Sequence, residues 1–288
     1  MATVNLRRSY RWMAIPALAF AAAMIVYPFG FAVWLALADV QLGQEPKYAG
    51  LANFRKMFAD GEFWNGLRLT FFLYVVSLGA QLVLGTWLGL LLARSQWARG
   101  IVRPILISPF MLPPVVVGMM AIVILDPSFG IANWLLEKLG LPPGLWLSDP
   151  ATVMWTVAGL DTWQWAPFVA LIVMGGYLAL PTDVYDAAEI DGATSWQQLR
   201  YITLPLLAPT LITAAVLRSV DILRFFDIIY LTTQGGPGTS STTLNILAYR
   251  RGFEFFELGY ASAVMVTLAT IVFGTVLVFA RLRRAVAW

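Results

Sequence analysis

The sequence predicts an all-α membrane protein with six transmembrane helices, and three observations carry that prediction. The first is composition: of 288 residues, 59% are hydrophobic and 12% charged, against about 25% charged in ordinary soluble domains. With a mean hydropathy of +0.74, so much apolar surface cannot be hidden in a soluble core, and a bilayer is the expected solvent. The second is run length. Six segments, roughly 12–38, 69–93, 105–125, 153–178, 204–230 and 257–280, can each cross a hydrocarbon core of about 30 Å. The third is charge placement. With the N-terminus inside, the inner segments hold 10 Lys/Arg in 56 residues and the outer ones 7 in 83. That bias predicts a multi-pass chain with both termini in the cytoplasm.

Taken in order, the first span follows Arg7, Arg8 and Arg11. Its apolar run far exceeds the 7–15 residues of a signal-peptide core, so it reads as a retained span. The second contains Gly85 and Gly89 in "GTWLG", a small-xxx-small pattern that suits either an ordinary helix-packing face or a specific dimer face. A basic inner segment with Arg94, Arg99 and Arg103 follows. The third span, "RPILISPFMLPPVVVG", carries Pro104, Pro109, Pro113 and Pro114; proline removes helix donors and clashes with the preceding turn, so this span must be bent or broken. Broken backbone at membrane depth survives only inside protein or beside a cavity. The fourth includes "DTWQWAPF", with Asp161, Trp163, Gln164 and Trp165. The fifth carries Arg218, Asp221, Arg224 and Asp227, alternating in sign at intervals of three, so adjacent members can pair on a helix. The outer stretch 231–250, with Gly235, Gly236, Pro237 and Gly238, reads as an ordinary connector. The sixth span ends on Arg281, Arg283 and Arg284.

Ionised side chains at the bilayer centre cost about 2.5–3.5 kcal/mol on insertion scales and should face the bundle interior or a wet cavity. One reading makes Asp161, Trp163, Gln164, Trp165, Asp221, Arg224 and Asp227 a polar translocation path, in which tryptophan faces stack on sugar rings and polar groups bind hydroxyls. The other makes them interhelical ion pairs with interfacial tryptophans. Asp227 is expected near the outer interface. Cysteine and histidine are absent, which removes thiol and imidazole catalysis and the usual zinc ligands. None of Lys47, Lys56 and Lys138 follows a glycine, so there is no phosphate loop. No catalytic residue, metal ligand or nucleic-acid surface is therefore expected, and any nucleotide hydrolysis falls to another chain.

Between spans four and five lies an acidic corner: Asp183, Asp186, Glu189 and Asp191, with Arg200 as the one nearby cation. It reads as two short helices on the cytoplasmic side. Thr182 or Asp183 caps the first, whose early carboxylates suit the helix dipole. Gly192 supplies a left-handed stop, and Ser195 with Gln198 forms a capping box for the second helix. Ala187 and Ala188 keep the surface low enough for a groove, so the corner reads either as a docking knob or as a solvated amphipathic loop.

"DAAEIDGATSWQQLRYITLPLLAP" resembles the EAA loop of binding-protein-dependent ABC importer permeases, with Ala187, Ala188, Gly192, Ile202, Leu204 and Pro205 in place. Asp186 stands where Glu is usual, and Leu199 where related sugar permeases often have Phe. "DTWQWAPF", "GYLALPTDVYDAAEIDGA" and "FDIIYLTTQGGPGTSSTTLNILAYRRGFEFFELGYASA" resemble the carbohydrate-uptake subfamily, of the maltose/glycerol-3-phosphate type, and the subunit that pairs with a second, different permease. The resemblance covers most of residues 50–285. It implies a single permease domain over 1–288 with the type I importer fold, a coupling loop at 179–203, and a bacterial or archaeal inner-membrane location. Asp186, Ala187, Ala188, Glu189, Asp191, Gly192 and Ala193 would then form the coupling helices seated on an ATPase. The implied partners are a second, non-identical permease, two ATP-binding-cassette ATPases that use ATP and Mg, an extracytoplasmic solute-binding protein and the bilayer. The chain itself would bind no cofactor. A polyol such as glycerol-3-phosphate is the alternative cargo. A membrane-embedded enzyme using Asp161 and the span-five charges, or a stand-alone channel or secondary transporter, are the readings from other classes.

Overall fold

The computed structural model describes residues 3–40, 45–94, 100 and 102–286, with side chains described from 15 to 285 within them. Arg99, and the side chains of Arg7, Arg8 and Arg11, lie outside the described residues. The chain divides into two compact units, 1–61 with 248–267, and 62–247 with 268–288.

In the first unit, α1 (Thr3–Ala36) is apolar from Trp12 onward, and its residues 15–31 are exposed. A two-residue antiparallel pair follows, β1 (Ala38–Asp39) and β2 (Lys47–Tyr48), with Ala38 opposite Tyr48. Helix α2 (Ala52–Ala59) is tied back to it because Asn53 Nδ2 donates to the carbonyls of Ala36 and Ala38, at 3.0 and 2.9 Å. Charged groups complete this unit. Arg251 Nη2 and the Tyr260 hydroxyl both reach Asp60 Oδ2, at 3.0 and 2.8 Å, and Lys56 Nζ meets Glu257 Oε1 at 2.8 Å. Partial burial pushes the Glu257 carboxyl up, but the hydrogen bond and charge of Lys56, then of Arg251, outweigh it and hold the group below its usual value.

In the second unit the long helix α3 (Gly61–Arg94) starts eight residues before the expected span, because Phe63 is buried and extends the packed face outward. Helices α4 (Val102–Ile107) and α5 (Pro114–Ile124), joined by a 3₁₀ turn at Ser108–Met111, make the third span. They meet at 100°. The cause is local: a residue before proline is driven out of the helical region, and Leu112, ahead of Pro113, takes φ −78°, ψ 135°. A short helix, α6 (Ile131–Lys138), precedes the fourth span, α7 (Val153–Leu178). The short pair α8 (Asp183–Ile190) and α9 (Ser195–Gln198) leads through one π-helical turn into α10 (Leu204–Leu223). The fifth span is not one helix to residue 230. It breaks at Arg224–Phe226 and resumes as α11 (Asp227–Thr232). Asn245 Nδ2 takes the Arg224 carbonyl freed by the break, at 2.8 Å. The last elements, α12 (Leu244–Tyr249) and α13 (Leu258–Val286), the sixth span, each begin in one unit and end in the other.

Apolar surface gives neighbouring spans little reason to associate in lipid, so close van der Waals packing must do it. Gly85 and Gly89 supply it between α3 and α7. A Cβ on Gly85 would sit 2.6 Å from Val169, and one on Gly89 2.6 Å from the Ala170 carbonyl. The small-xxx-small motif is thus an intrachain packing face and not a dimer face. The stretch 231–250 is likewise no mere connector. Ser241, Thr242, Thr243, Leu244, Ile246 and Leu247 are buried, and the Thr70 hydroxyl accepts from the Leu244 amide at 3.0 Å.

Candidate functional site

Two regions hold the chemistry, and both are built on α7 and α10. The first is the acidic corner. Helix α8 ends in a Schellman closure, with the Ala193 amide on the Ala188 carbonyl at 2.9 Å and the Gly192 amide on Glu189 at 3.0 Å. That geometry needs a left-handed residue, and Gly192 has φ +74° with open space around it. The next cap sits one residue earlier than expected. Thr194, not Ser195, is the N-cap, and its hydroxyl accepts from the Gln197 amide while Gln197 Oε1 accepts from the Thr194 amide at 2.7 Å. The reason is backbone shape: Thr194 is extended (ψ 157°), as an N-cap must be. At the start of α8, Thr182 makes no side-chain capping bond.

Asp186, Ala187, Glu189, Asp191 and Gly192 are exposed on this corner, Ala193 is half-buried, and Ala188 is buried. Ala188 therefore packs α8 inward and does not lower the outer surface. The most exposed large hydrophobic side chains there are Ile190 (87%), Tyr201 (70%) and Trp196 (65%), which reading for charge passed over. The corner is stitched down. The Tyr185 hydroxyl hydrogen-bonds Thr203 Oγ1 at 3.1 Å, the Thr203 hydroxyl donates to the Gln198 carbonyl, and Tyr185 stacks edge-on against Tyr177 of α7. Just beyond, a Cβ on Gly176 of α7 would meet the Thr210 side chain of α10 at 2.7 Å.

The second region is a cavity of about 370 Å³ lined by Asp161, Trp165, Arg218, Asp221, Arg224 and Asp227, among others. Its floor is a buried ion-pair cluster. Asp161 is 0% exposed and Arg218 1%. Arg218 Nη2 reaches Asp161 Oδ1 at 3.0 Å, Nη1 reaches Asp221 Oδ2 at 3.2 Å, and Nε reaches Gln81 Oε1 at 2.8 Å. Gln81 Nε2 in turn donates to Asp161 Oδ2 at 2.7 Å. The guanidinium lies 4.1 Å over the Trp165 ring, a close cation–π contact. Three spans, α3, α7 and α10, thus share one closed network, which is how buried charge is tolerated. Arg224 Nη2 stands 3.8 Å from Asp221 Oδ1, and Asp227 faces the cavity with no ion-pair partner among the described residues.

The structure brings together Asp161, Trp165, Asp221, Arg224 and Asp227 from the expected path, around Arg218. It does not bring in the other two. Trp163 is 47% exposed and lines a separate apolar groove with Trp87 and Trp155. Gln164 is buried and donates to the Leu112 carbonyl at 2.8 Å, holding the bend of the third span. Gln81 went unnoticed in the sequence, although it is a lone amide in an apolar run, which is itself a signal.

Residues 81–285 match the family described as binding-protein-dependent transport system inner membrane component. The trehalose/maltose transport system permease protein MalF of Thermococcus litoralis is 33% identical over 94% of this chain and 92% of its own. The trehalose transport system permease protein SugA of Mycobacterium tuberculosis is 30% identical over 95% and 87%. Among solved structures, a bacterial ABC transporter involved in the import of the acidic polysaccharide alginate superposes with a TM-score of 0.84 at 23% identity, covering 99% of this chain and 98% of that one.

Proposed function

The chain belongs to the inner-membrane components of binding-protein-dependent transport systems, and from that premise we propose that it is one permease subunit of an ATP-driven sugar importer, coupled to its ATPase through residues 183–203. Family membership places the ATPase activity in a separate subunit and makes this multi-pass chain no enzyme itself. The sugar assignment draws on relatives named for trehalose and maltose transport. In this reading the partners are a second, different permease, two ATPases that hold ATP and Mg, and an extracytoplasmic binding protein. Both termini are cytoplasmic, and this chain holds no cofactor.

One observation carries the mechanism: the corner and the cavity are built on the same two helices. Tyr185 and Thr203 fasten α8 to the start of α10, and Tyr177 fastens it to the end of α7. Further along, α7 supplies Asp161 and Trp165 to the cavity, and α10 supplies Arg218 and Asp221. A force on the corner therefore reaches the cavity walls along α7 and α10, each of which continues as one helix through its internal proline, Pro167 or Pro209. Asp186, Glu189 and Asp191 present charge to the ATPase, while Ile190 and Trp196 present the apolar area that docking needs. Gly192 sets the angle between α8 and α9.

Purification and uptake test this. An ATPase and a second permease should copurify with the chain, and solute uptake into proteoliposomes should require ATP. Gly192→Pro cannot adopt φ +74° and Glu189→Lys reverses a docking charge, so each should abolish uptake while the chain still inserts. Normal uptake by both variants would end the coupling assignment.

A further inference from the structure

The fold is shared with an importer of an acidic polysaccharide, so the fold alone does not decide what charge the cargo carries. The cavity's own charges do. Resting on the permease reading above, we propose that this cavity takes an uncharged polyhydroxylated ligand, a sugar without phosphate, sulfonate or carboxylate, and rejects anions.

Three carboxylates (Asp161, Asp221 and Asp227) line it against two guanidinium groups (Arg218 and Arg224), a formal balance of −1. An anion would need a guanidinium edge free to accept it in the two-pronged geometry that makes arginine an anion receptor. Arg218 has none to give, and the outer edge of Arg224, 59% exposed, already faces a carboxylate, Asp221. Arg218 is 1% exposed, with Nε on Gln81, Nη1 on Asp221 and Nη2 on Asp161, and one face of its guanidinium covered by Trp165. Arg224 has Nε committed to the Val220 carbonyl at 3.1 Å and Nη2 turned to Asp221 at 3.8 Å. The other open polar groups are acceptors. Asp221 is half open to the cavity, at 46%, and Asp227 is exposed without an ion-pair partner among the described residues. Carboxylates accept hydrogen bonds and cannot donate them. A hydroxyl donates to them at no charge cost, whereas a phosphate or carboxylate would meet like charge in a site screened by protein and lipid, where Coulomb repulsion is stronger than in water. The remaining walls suit a sugar as well. Trp165, Phe225, Phe226 and Pro114 offer apolar faces to the C–H side of a ring.

The test uses the complete importer in nanodiscs, so that cargo choice by the soluble binding protein can be left out or put back. Without the binding protein, equilibrium dialysis at millimolar ligand compares trehalose and maltose with glycerol 3-phosphate and glucuronate. The neutral sugars should bind, and the anions should bind at least about tenfold more weakly, the scale of one unscreened like charge at the rim. Asp227→Lys turns the formal balance to +1 and should raise anion binding relative to neutral sugar by about tenfold or more. Glycerol 3-phosphate or glucuronate binding to the unaltered importer as tightly as the neutral sugars would overturn the proposal. So would neutral sugars failing to bind. With the binding protein restored, ATP-dependent uptake tests the importer reading separately: its absence for every compound would count against that reading, while the dialysis result still decides the charge preference.

Discussion

Removing one partner from the Asp161–Arg218 pair should destabilise the chain far more than removing both. Breaking a buried ion pair costs about 3–5 kcal/mol because it strands a charge, whereas replacing the pair with groups of similar volume is often close to neutral. The structure orders the two single variants. In Asp161→Asn, Arg218 keeps Asp221 at 3.2 Å and Gln81 at 2.8 Å, so the loss should fall near the bottom of that range, about 3 kcal/mol. In Arg218→Met, Asp161 keeps only the Gln81 amide at 2.7 Å and no cation, so the loss should approach about 5 kcal/mol. The double variant leaves an amide pair and no stranded charge, and should cost less than either single, under about 3 kcal/mol. Unfolding by SDS in mixed micelles, followed by tryptophan fluorescence, measures all four proteins. Additivity within about 0.5 kcal/mol would refute the closed-network account, since that is how independent sites behave.

Two further outcomes follow from packing and charge. Gly89→Leu should cost about 1–3 kcal/mol by overpacking against Ala170 and Val173, whereas Gly79→Leu, whose Cβ meets nothing within 4 Å, should be near neutral in the same titration; equal effects would mean that α3 and α7 are not in tight contact. The depressed Glu257 carboxyl binds its proton less readily in the folded than in the unfolded chain. Its contribution is therefore present above the ordinary value of 4.5 and lost as pH falls below it. Glu257→Gln should flatten the melting temperature between pH 6 and about 3.5 relative to the unaltered chain, and an unchanged pH profile would remove that group from the balance.

What was legible in the sequence was what local chemistry dictates. The spans are read from length, and the bend at Leu112 follows from a proline at the next position. The corner is read from a glycine between two short helices. Capping slipped by one residue because Thr194 and Ser195 carry equivalent hydroxyls, and only backbone shape separates them. The pairing of Asp161 with Arg218 was not legible. They lie 57 positions apart, and the i,i+3 rule offered Arg218 only Asp221. The break at Arg224 was hidden for the same reason, since its carbonyl partner, Asn245, comes 21 residues later. Trp163 is a different case. Helix geometry puts positions 163 and 165 about 200° apart, so both tryptophans could never have faced one cavity, whereas 161 and 165, four apart, share a face. Periodicity alone should have divided them.

Why charge is spent at this depth follows from the surroundings. Between apolar helices in lipid, sliding by a fraction of a turn exchanges one set of van der Waals contacts for another at small cost. An ion pair does not slide so freely. Arg218 holds Asp161 at 3.0 Å while Gln81 of α3 holds both, and moving α10 along α7 by one residue, about 1.5 Å, would break both bonds that Arg218 makes to Asp161 and Gln81. The cluster thus fixes the register of α7 and α10 at one end, and the Tyr177, Tyr185 and Thr203 contacts fix it at the other. Two helices pinned at both ends move as one body. That is the property needed to turn a push on the corner into a displacement of the cavity wall.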